Sequence, residues 1–576
     1  MKINAASISF LFLANAITAN SPAKSVSGQI SENTTYQHFI MYGQSLSVGA
    51  QSYPLLSVEN VPGNYMLGEH IWINYWNSDK SRINPLLGKL AKQNSVGDTD
   101  LYPFTRAGTI TAECPLYGVV NHLQKKIGGR FIATSCGTGG RSIEELSKES
   151  EVPGRCHYVS DFQNALTNAA LAVQYDKSTI SCPAIFFMQG ENNYENKGSG
   201  LISGSKSTSD KVEYKMLLIT LKNNMQKDII ATYGQTEKPV FITYQTGCQY
   251  GKIKELPIGM AQLEASNEED DIICAGPVYP MPDRGGHLDP NGYRWYGEMM
   301  AKVYYRTQIL GEEFKPLQPE KIMRTTNPKQ IKIRFHVPVP PLVLDTWTTG
   351  AKFKNYGFEV YKDGIKQSLS KVETEGDWVV LTAQRDLSGG RLEIIYAGIG
   401  ENTALTRGHG NLRDSDDYPA YFTYVDLDAK NSTGEYIYYR EPGNFLRPVN
   451  EVCSREGSTI YGQPYPLYNW SVAFYYTLSA DEQIYIIPGV SSEITRLEQI
   501  PQETKFIFTR DSSGLVFQTE HAEDVRIDIV DTVGRIIEST EFNGRHLTYP
   551  VQDLRSGAYI AIATVNGQSK CLKILR

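Results

Sequence analysis

Four short stretches of the chain bring together residue types that share one chemistry. Gly43-Gln44-Ser45-Leu46-Ser47 closes an apolar run and sets a serine close behind a glycine, where backbone turns tightly and a hydroxyl is exposed. Alone, such a serine is an ordinary turn residue. Ser135-Cys136-Gly137-Thr138-Gly139-Gly140-Arg141-Ser142 closes a second run. Its glycines let backbone N–H groups approach a developing oxyanion. It has no P-loop lysine and no G-x-G-x-x-G, which argues against a phosphate cradle. Met188-Gln189-Gly190-Glu191-Asn192-Asn193 adds three amides and a carboxylate. Pro282-Asp283-Arg284-Gly285-Gly286-His287-Leu288-Asp289 adds an imidazole with carboxylates nearby. Nucleophilic acyl transfer uses this set: a serine attacks, a histidine takes its proton, a carboxylate orients the imidazole, and N–H donors hold the oxyanion. Each stretch alone is uninformative; their joint order carries the inference.

The four stretches share a rim only if the runs before them are strands of one sheet. Nearly continuous apolar runs lie at 38–42, 131–135, 184–188, 240–245 and 272–275, as expected for strands covered on both faces. Amphipathic stretches at 162–173, 212–230 and 293–304 separate them. Alternating strand and helix over residues 36–305 predicts an α/β domain, a parallel sheet with helices on both faces. Ligands in such sheets sit beyond the carboxyl ends of the strands, where the four stretches fall.

With these blocks in order, residues 36–305 resemble the SGNH (GDSL-type) hydrolase superfamily, above all its sialate O-acetylesterase-like and acetylxylan esterase-like carbohydrate esterases. Gly43-Gln44-Ser45 matches the first block, with Leu46 in place of asparagine. Gly139-Gly140-Arg141-Ser142-Ile143-Glu144 resembles the glycine block, and Gln189-Gly190-Glu191 matches the third. Asn192 falls where the superfamily places its oxyanion asparagine. The histidine block, usually Asp-x-x-His, runs one residue longer, from Asp283 to His287. The resemblance implies a three-layer α/β fold and a secreted serine esterase that removes O-acetyl groups from a poly- or oligosaccharide without a cofactor. It implies Ser45 as nucleophile, His287 as base and Asp283 as acid. Asp289, or a backbone carbonyl in place of an acid, remains the alternative. The N–H groups of Ser45 and of Gly139 or Gly140, with Asn192, would form the oxyanion hole. Gln44 would bind substrate, and Gln189 and Glu191 would either position substrate or support the residues that touch it. Arg141 and Arg284 lie where a sugar carboxylate could be met, or are plain solvated arginines.

The remainder of the chain reads as all-β. Residues 316–500 hold the Pro-rich Val337-Pro338-Val339-Pro340-Pro341 and alternating segments at 357–361, 378–382 and 392–396, which predicts one or two β-sandwiches. The acidic stretch 408–417 reads as a solvated loop, with calcium binding as the alternative. Residues 503–576 read as a small β domain. The segment 528–537, Leu554-Arg555-Ser556-Gly557-Ala558-Tyr559 and the basic end at 570–576 resemble a type IX secretion sorting domain of Bacteroidota. That resemblance implies the type IX machinery as a partner; an ordinary β-sandwich cap is the alternative.

Lys2, an apolar stretch at 5–14 and small residues up to Ala19 read as a secretory signal over residues 1–19, too short to span a bilayer. The expected location is secreted or cell-surface, with the periplasm as alternative, and no integral membrane segment. At 576 residues the chain is too long for one core. Its 41% hydrophobic and 21% charged residues are those of an ordinary globular protein. A net charge of -7 argues against a nucleic-acid partner. The 36 tyrosines suit strands and, secondarily, sugar-facing surfaces. Eight cysteines without C-x-x-C spacing, and no H-E-x-x-H, predict no metal site. Cys136, Cys182 and Cys274 read as buried free thiols. His38 reads as a core histidine, and His409 as a minor surface contributor. Two other functions fit the same blocks. One is a lipase or thioesterase, disfavoured by the polar stretch at 197–210. The other is a carbohydrate-binding protein that has lost turnover.

Overall fold

The computed structural model describes residues 36–575 except 53, 75–78, 89–90, 93–109, 112, 151–155, 195–206, 248–252, 283–285, 349–351, 399–402, 405–406, 436–459, 491–505, 511–513, 532–534, 552–553 and 566–567. The signal read at 1–19 lies outside these residues. So do Asp283, Arg284, Cys248 and Cys453.

Tyr36–Gly43 is buried along all 8 residues, as a strand covered on both faces must be. It pairs in parallel with Phe131–Ser135 on one side and Ala184–Met188 on the other. Beyond Phe131–Ser135 lie Asn64–Leu67 and the antiparallel Ile83–Pro85. Beyond Ala184–Met188 lie Val240–Gln245 and Ile272–Pro277, both parallel. With the short Ile180–Ser181, the sheet has eight strands. The chain builds one side and then crosses to the other, so strand order reverses at Tyr36–Gly43. In open α/β sheets, that reversal opens a crevice beyond the carboxyl ends. Alternate residues of the central strand feed two apolar layers. Phe39 and Met41 pack with helices Pro115–Ile127 and Pro290–Tyr304. Ile40 and Tyr42 pack with Asn164–Tyr175, Lys211–Tyr233 and Pro257–Glu268.

The β-rich region does not keep a core to itself. It forms a five-stranded sheet in the order Leu369–Glu375, Trp378–Ala383, Gln330–His336, Gln318–Arg324, Ile484–Ile486. A four-stranded sheet follows the order Ile365–Gln367, Phe358–Lys362, Leu392–Tyr396, Phe474–Leu478. Ile322, Ile333, Phe358, Ile394 and Phe474 belong to the same apolar cluster as Ile40 and Tyr42. The Gln245 amide spans the join, donating to the Ala473 carbonyl and accepting from the Ala473 N–H, each at 2.7 Å. The chain up to Ser491 is one compact unit.

The acidic stretch at 408–417 differs from the solvated or calcium-binding loop expected of it. His409, Asn411, Asp414 and Asp416 are at most 1% exposed. Their charges are met by protein donors. Lys302, on helix Pro290–Tyr304, donates to Asp416 Oδ2 at 2.9 Å and Asn469 Oδ1 at 2.8 Å. Arg306 donates to Asp416 Oδ1 at 3.0 Å. Asn469 Nδ2 donates to Asp414 Oδ2 at 2.7 Å. Burial works to raise the Asp416 carboxyl, but Lys302 and Arg306 outweigh it and hold the group below the usual range. His409 stacks on Phe353, with ring centroids 4.9 Å apart, rather than lining a surface. Among the described residues, no group of three or more His, Cys, Asp or Glu is arranged to hold a metal ion.

Residues from Ser492 onward form a second compact unit. Its antiparallel sheet holds Phe506–Arg510, Leu515–Asp531, Ile536–Tyr549, Ala558–Val565 and Gln568–Leu575. Val525, Ile527 and Ile529 alternate into its own core with Ala561 and Ala563. No helix among the described residues is long and apolar enough to cross a membrane. Cys114, Cys136, Cys182 and Cys274 are buried free thiols, and burial pushes the Cys114 and Cys274 thiols up to about 12.

The buried cluster gives a direct stability test. Lys302→Met keeps the length of the side chain but leaves the Asp416 and Asp414 region without its ammonium. Stripping one partner from a buried ion pair costs about 3–5 kcal/mol, so the denaturant midpoint is expected to fall sharply. A midpoint equal to that of the parent chain would show the cluster to be solvated.

Candidate active site

The geometry begins at Gly43. Its φ is +143°, and a β-carbon there would run into the carbonyl of Met188 on the neighbouring strand. The chain thus leaves the central strand hard against its neighbour, and the Gln44 N–H donates to the Met188 carbonyl at 2.9 Å. Ser45 opens a single helical turn, Ser45–Val48, closed by Gly49 in the left-handed conformation. The Tyr293 hydroxyl, on helix Pro290–Tyr304, donates to the Ala50 carbonyl at 2.9 Å and ties this turn to that helix.

His287 lies in the segment that enters the same helix. Asp289 caps that helix, its Oδ1 accepting from the Gly292 N–H at 2.7 Å. The imidazole meets the serine from this position. His287 Nε2 lies 2.7 Å from Ser45 Oγ. On its other side, His287 Nδ1 lies 2.8 Å from Gln51 Oε1. An amide oxygen only accepts, so Nδ1 carries the proton and Nε2 turns its lone pair toward the hydroxyl. Such an arrangement can take the serine proton as the oxygen attacks a carbonyl carbon.

The glycine stretch packs against the serine turn. A β-carbon at Gly137 would run into Ser47 Oγ and lie 2.9 Å from the Gly43 carbonyl. The Thr138 N–H donates to that same Gly43 carbonyl at 2.9 Å. Thr138 Oγ1 donates to Asp161 Oδ2 at 2.7 Å, and His157 Nδ1 lies 3.0 Å from the same oxygen. Gly140 adopts φ +69°, after which Ser142 and Glu145 form a capping box on the turn Ile143–Leu146. Gly139 and Gly140 are thus anchored at both ends.

Two of the three amides of the third stretch, Gln189 and Asn193, are spent on holding the rim together. Gln44 Oε1 accepts from the N–H groups of Gly190 at 3.2 Å and Asn192 at 3.1 Å. Gln44 therefore splints the serine turn to the turn Glu191–Tyr194. Gln189 is fully buried: its Nε2 donates to the Arg141 carbonyl and Asn193 Oδ1, and its Oε1 accepts from the Tyr214 hydroxyl at 2.9 Å. Asn193 Oδ1 also accepts from the Ile143 N–H at 3.0 Å, while its Nδ2 donates to Glu144 Oε2 at 3.0 Å. Glu191 is buried and accepts from the Tyr244 hydroxyl and the Gly247 N–H. Arg141 reaches Glu145 Oε1 at 3.4 Å, with its side chain 16% exposed. Gln44 Oε1 and the polar atoms of Gln189 and Glu191 are thus bonded inside the protein, which for Gln189 and Glu191 matches the supporting rather than the substrate-contacting alternative. Asn192 is placed beside Ser45's turn through its N–H to Gln44 and is 7% exposed.

Ser45, His287, Gln44, the glycine stretch and Asn192 thus share one rim. His38 is a core histidine, bonded through Thr134 Oγ1 and the Tyr233 hydroxyl, and burial lowers it to about 3. Gln51 is the residue that sequence reasoning passed over. An amide in a loop has no distinguishing residue type; its left-handed φ of +60° is visible only in the structure.

No known family profile matches the chain, and no curated protein matches it either. Among solved structures, it is similar to a carbohydrate acetylesterase from Xanthomonas citri, at 13% identity and a TM-score of 0.41, covering 65% of this chain and 77% of that one. It is also similar to an Arabidopsis thaliana protein, at 13% identity and a TM-score of 0.32, covering 46% of this chain and 97% of that one.

Contact between the two loops generates a test. Gly137→Ala should press the glycine stretch away from the serine turn. A displacement of roughly an ångström costs a catalytic site about a hundredfold in rate. Ester turnover by this variant is expected to fall by that order; parental turnover would show the two loops to be uncoupled.

Proposed function

We propose that the chain is an exported serine esterase of the SGNH type that removes O-acetyl groups from a carbohydrate. The observation that carries this reading is the Ser45 Oγ to His287 Nε2 distance of 2.7 Å on the rim where the strand order reverses. In the proposed mechanism, Ser45 Oγ attacks the acetyl carbonyl while His287 Nε2 takes its proton. The N–H groups of Ser45 and of Gly139 or Gly140, with the Asn192 amide, hold the oxyanion. The tetrahedral adduct then collapses. His287 returns the proton to the departing sugar hydroxyl, and water, activated by the same imidazole, releases acetate from Ser45. Asp283 holds the place that the resemblance gives to the acid. Export through the signal at 1–19 and the C-terminal type IX-like unit, to the surface or beyond, belongs to the same proposal. An acetylated poly- or oligosaccharide is the proposed partner.

The test is acetate release from acetylated xylan, pectin, rhamnogalacturonan and sialoglycans. Ser45→Ala is expected to cut release from whichever glycan is accepted by about a thousandfold or more. Asn192→Ala should lower kcat by about a hundredfold to a thousandfold, the loss of one oxyanion donor. Release by Ser45→Ala at the parental rate would overturn the mechanism.

A further inference from the structure

We propose that Gln51 is a positioning residue of the imidazole, a neutral amide that holds Nδ1 from the loop that carries the nucleophile. This rests on the esterase reading above and adds the group that governs His287. The Nδ1 to Oε1 distance of 2.8 Å is a hydrogen bond of full strength. It comes from the loop that carries the nucleophile. Gly49 is left-handed, the Ala50 N–H returns to the Ser45 carbonyl at 3.1 Å, and Ser52 Oγ donates to the Gly49 carbonyl at 2.5 Å. Gln51 is held at φ +60° within that fold-back, a conformation rare for a residue with a side chain. Backbone strain of this kind persists where the surroundings fix it, and it gathers at functional sites. One loop therefore grips both ring nitrogens of His287, Nε2 through Ser45 and Nδ1 through Gln51. The Tyr293 hydroxyl fastens that loop to the helix that follows the histidine.

A neutral orienter does one of the two jobs of a carboxylate. It fixes the tautomer and the ring plane, but it places no negative charge beside the imidazolium that forms during attack. The groups facing the ring on the described residues include the Ser45 hydroxyl and the Gln51 amide, neither of them charged near neutrality. On the ring's own segment stand two carboxylates: Asp289, which caps helix Pro290–Tyr304 through Oδ1, and Asp283, the acid of the esterase reading, which lies outside the described residues. A charge introduced at position 51 would thus be felt directly by the ring.

The experiment uses the full chain with p-nitrophenyl acetate and compares kcat, KM and the pH profile of kcat/KM for the parent, Gln51→Ala, Gln51→Glu, Asp283→Asn and Ser45→Ala. Removing the partner that orients a metal-ligating histidine costs about 10–100-fold, and a loss of the same order is taken for this imidazole. Gln51→Ala is expected to lose that much in kcat with KM little changed. Gln51→Glu is expected to recover most of the loss and to move the acid limb of the profile up by about one pH unit or more, because an adjacent carboxylate favours the imidazolium. A merely structural role for Gln51 would not move that limb. Two results overturn the proposal: parental kcat and pH profile in both Gln51 variants, or a loss confined to Asp283→Asn. If Gln51→Ala fails to fold, an unmoved acid limb in Gln51→Glu overturns it by itself. Turnover by Ser45→Ala at the parental rate would instead sink the esterase reading beneath it.

Discussion

Three strand ends crowd together at the centre of the sheet, and the rest of the rim depends on that crowding. Tyr36–Gly43 runs so close to Ala184–Met188 that only glycine fits at position 43, and Gly137 presses on the serine turn from the other side. The carbonyls and N–H groups exposed by the crowding need partners, because unpaired buried backbone is costly. Gln44 supplies two of them, Thr138 takes the Gly43 carbonyl, and Ser45 is left at the mouth of the crevice. The serine's position is therefore set by backbone packing before any chemistry is considered. His287 arrives from 242 residues away because the last helix of the sheet must cross back over the first strand's face.

The β-rich region takes part in this arrangement rather than trailing behind it. Helix Pro290–Tyr304 follows the histidine and carries Trp295, which stacks on Tyr465 with centroids 5.8 Å apart. It also carries Lys302, which anchors the acidic stretch, and Glu298, which accepts from His122 Nδ1 at 2.9 Å and from the Phe422 N–H at 3.2 Å. One face of the helix thus packs on the sheet, while other residues bind the segments at 416–422 and 465–469 of the β-rich region. A core shared across the join makes the described residues before Ser491 one compact unit.

Much of this was legible in the sequence, for identifiable reasons. The runs at 131–135, 184–188 and 240–245 are strands with those bounds, because a strand buried on both faces leaves an unbroken apolar signature. Asn64–Leu67 and Ile83–Pro85 went unread; at four and three residues they are too short to show a period, and Ile83–Pro85 is a part-exposed edge strand. Helix Pro257–Glu268 hid because residues 257–263 are all buried and its exposed polar residues gather in the last turn, which leaves little periodicity to find. The acidic stretch misled because charge in a sequence reads as solvent exposure, whereas the compensating Lys302 and Arg306 sit more than a hundred residues earlier, at separations of 114 and 110. Gln51 could not be found at all from residue type: its place beside His287 is a tertiary fact, and an orienting amide has no motif.

The central claim is that the hydroxyl at position 45 is a nucleophile. Its most direct measurement is mass-spectrometric mapping of the intact chain after stoichiometric treatment with a fluorophosphonate, which phosphonylates an activated serine and stalls there. The account expects one adduct, on the peptide that contains Ser45, forming in step with loss of ester turnover and absent in a His287→Ala chain. Full loss of turnover with the adduct on another residue, or undiminished turnover with no adduct at Ser45, would contradict it.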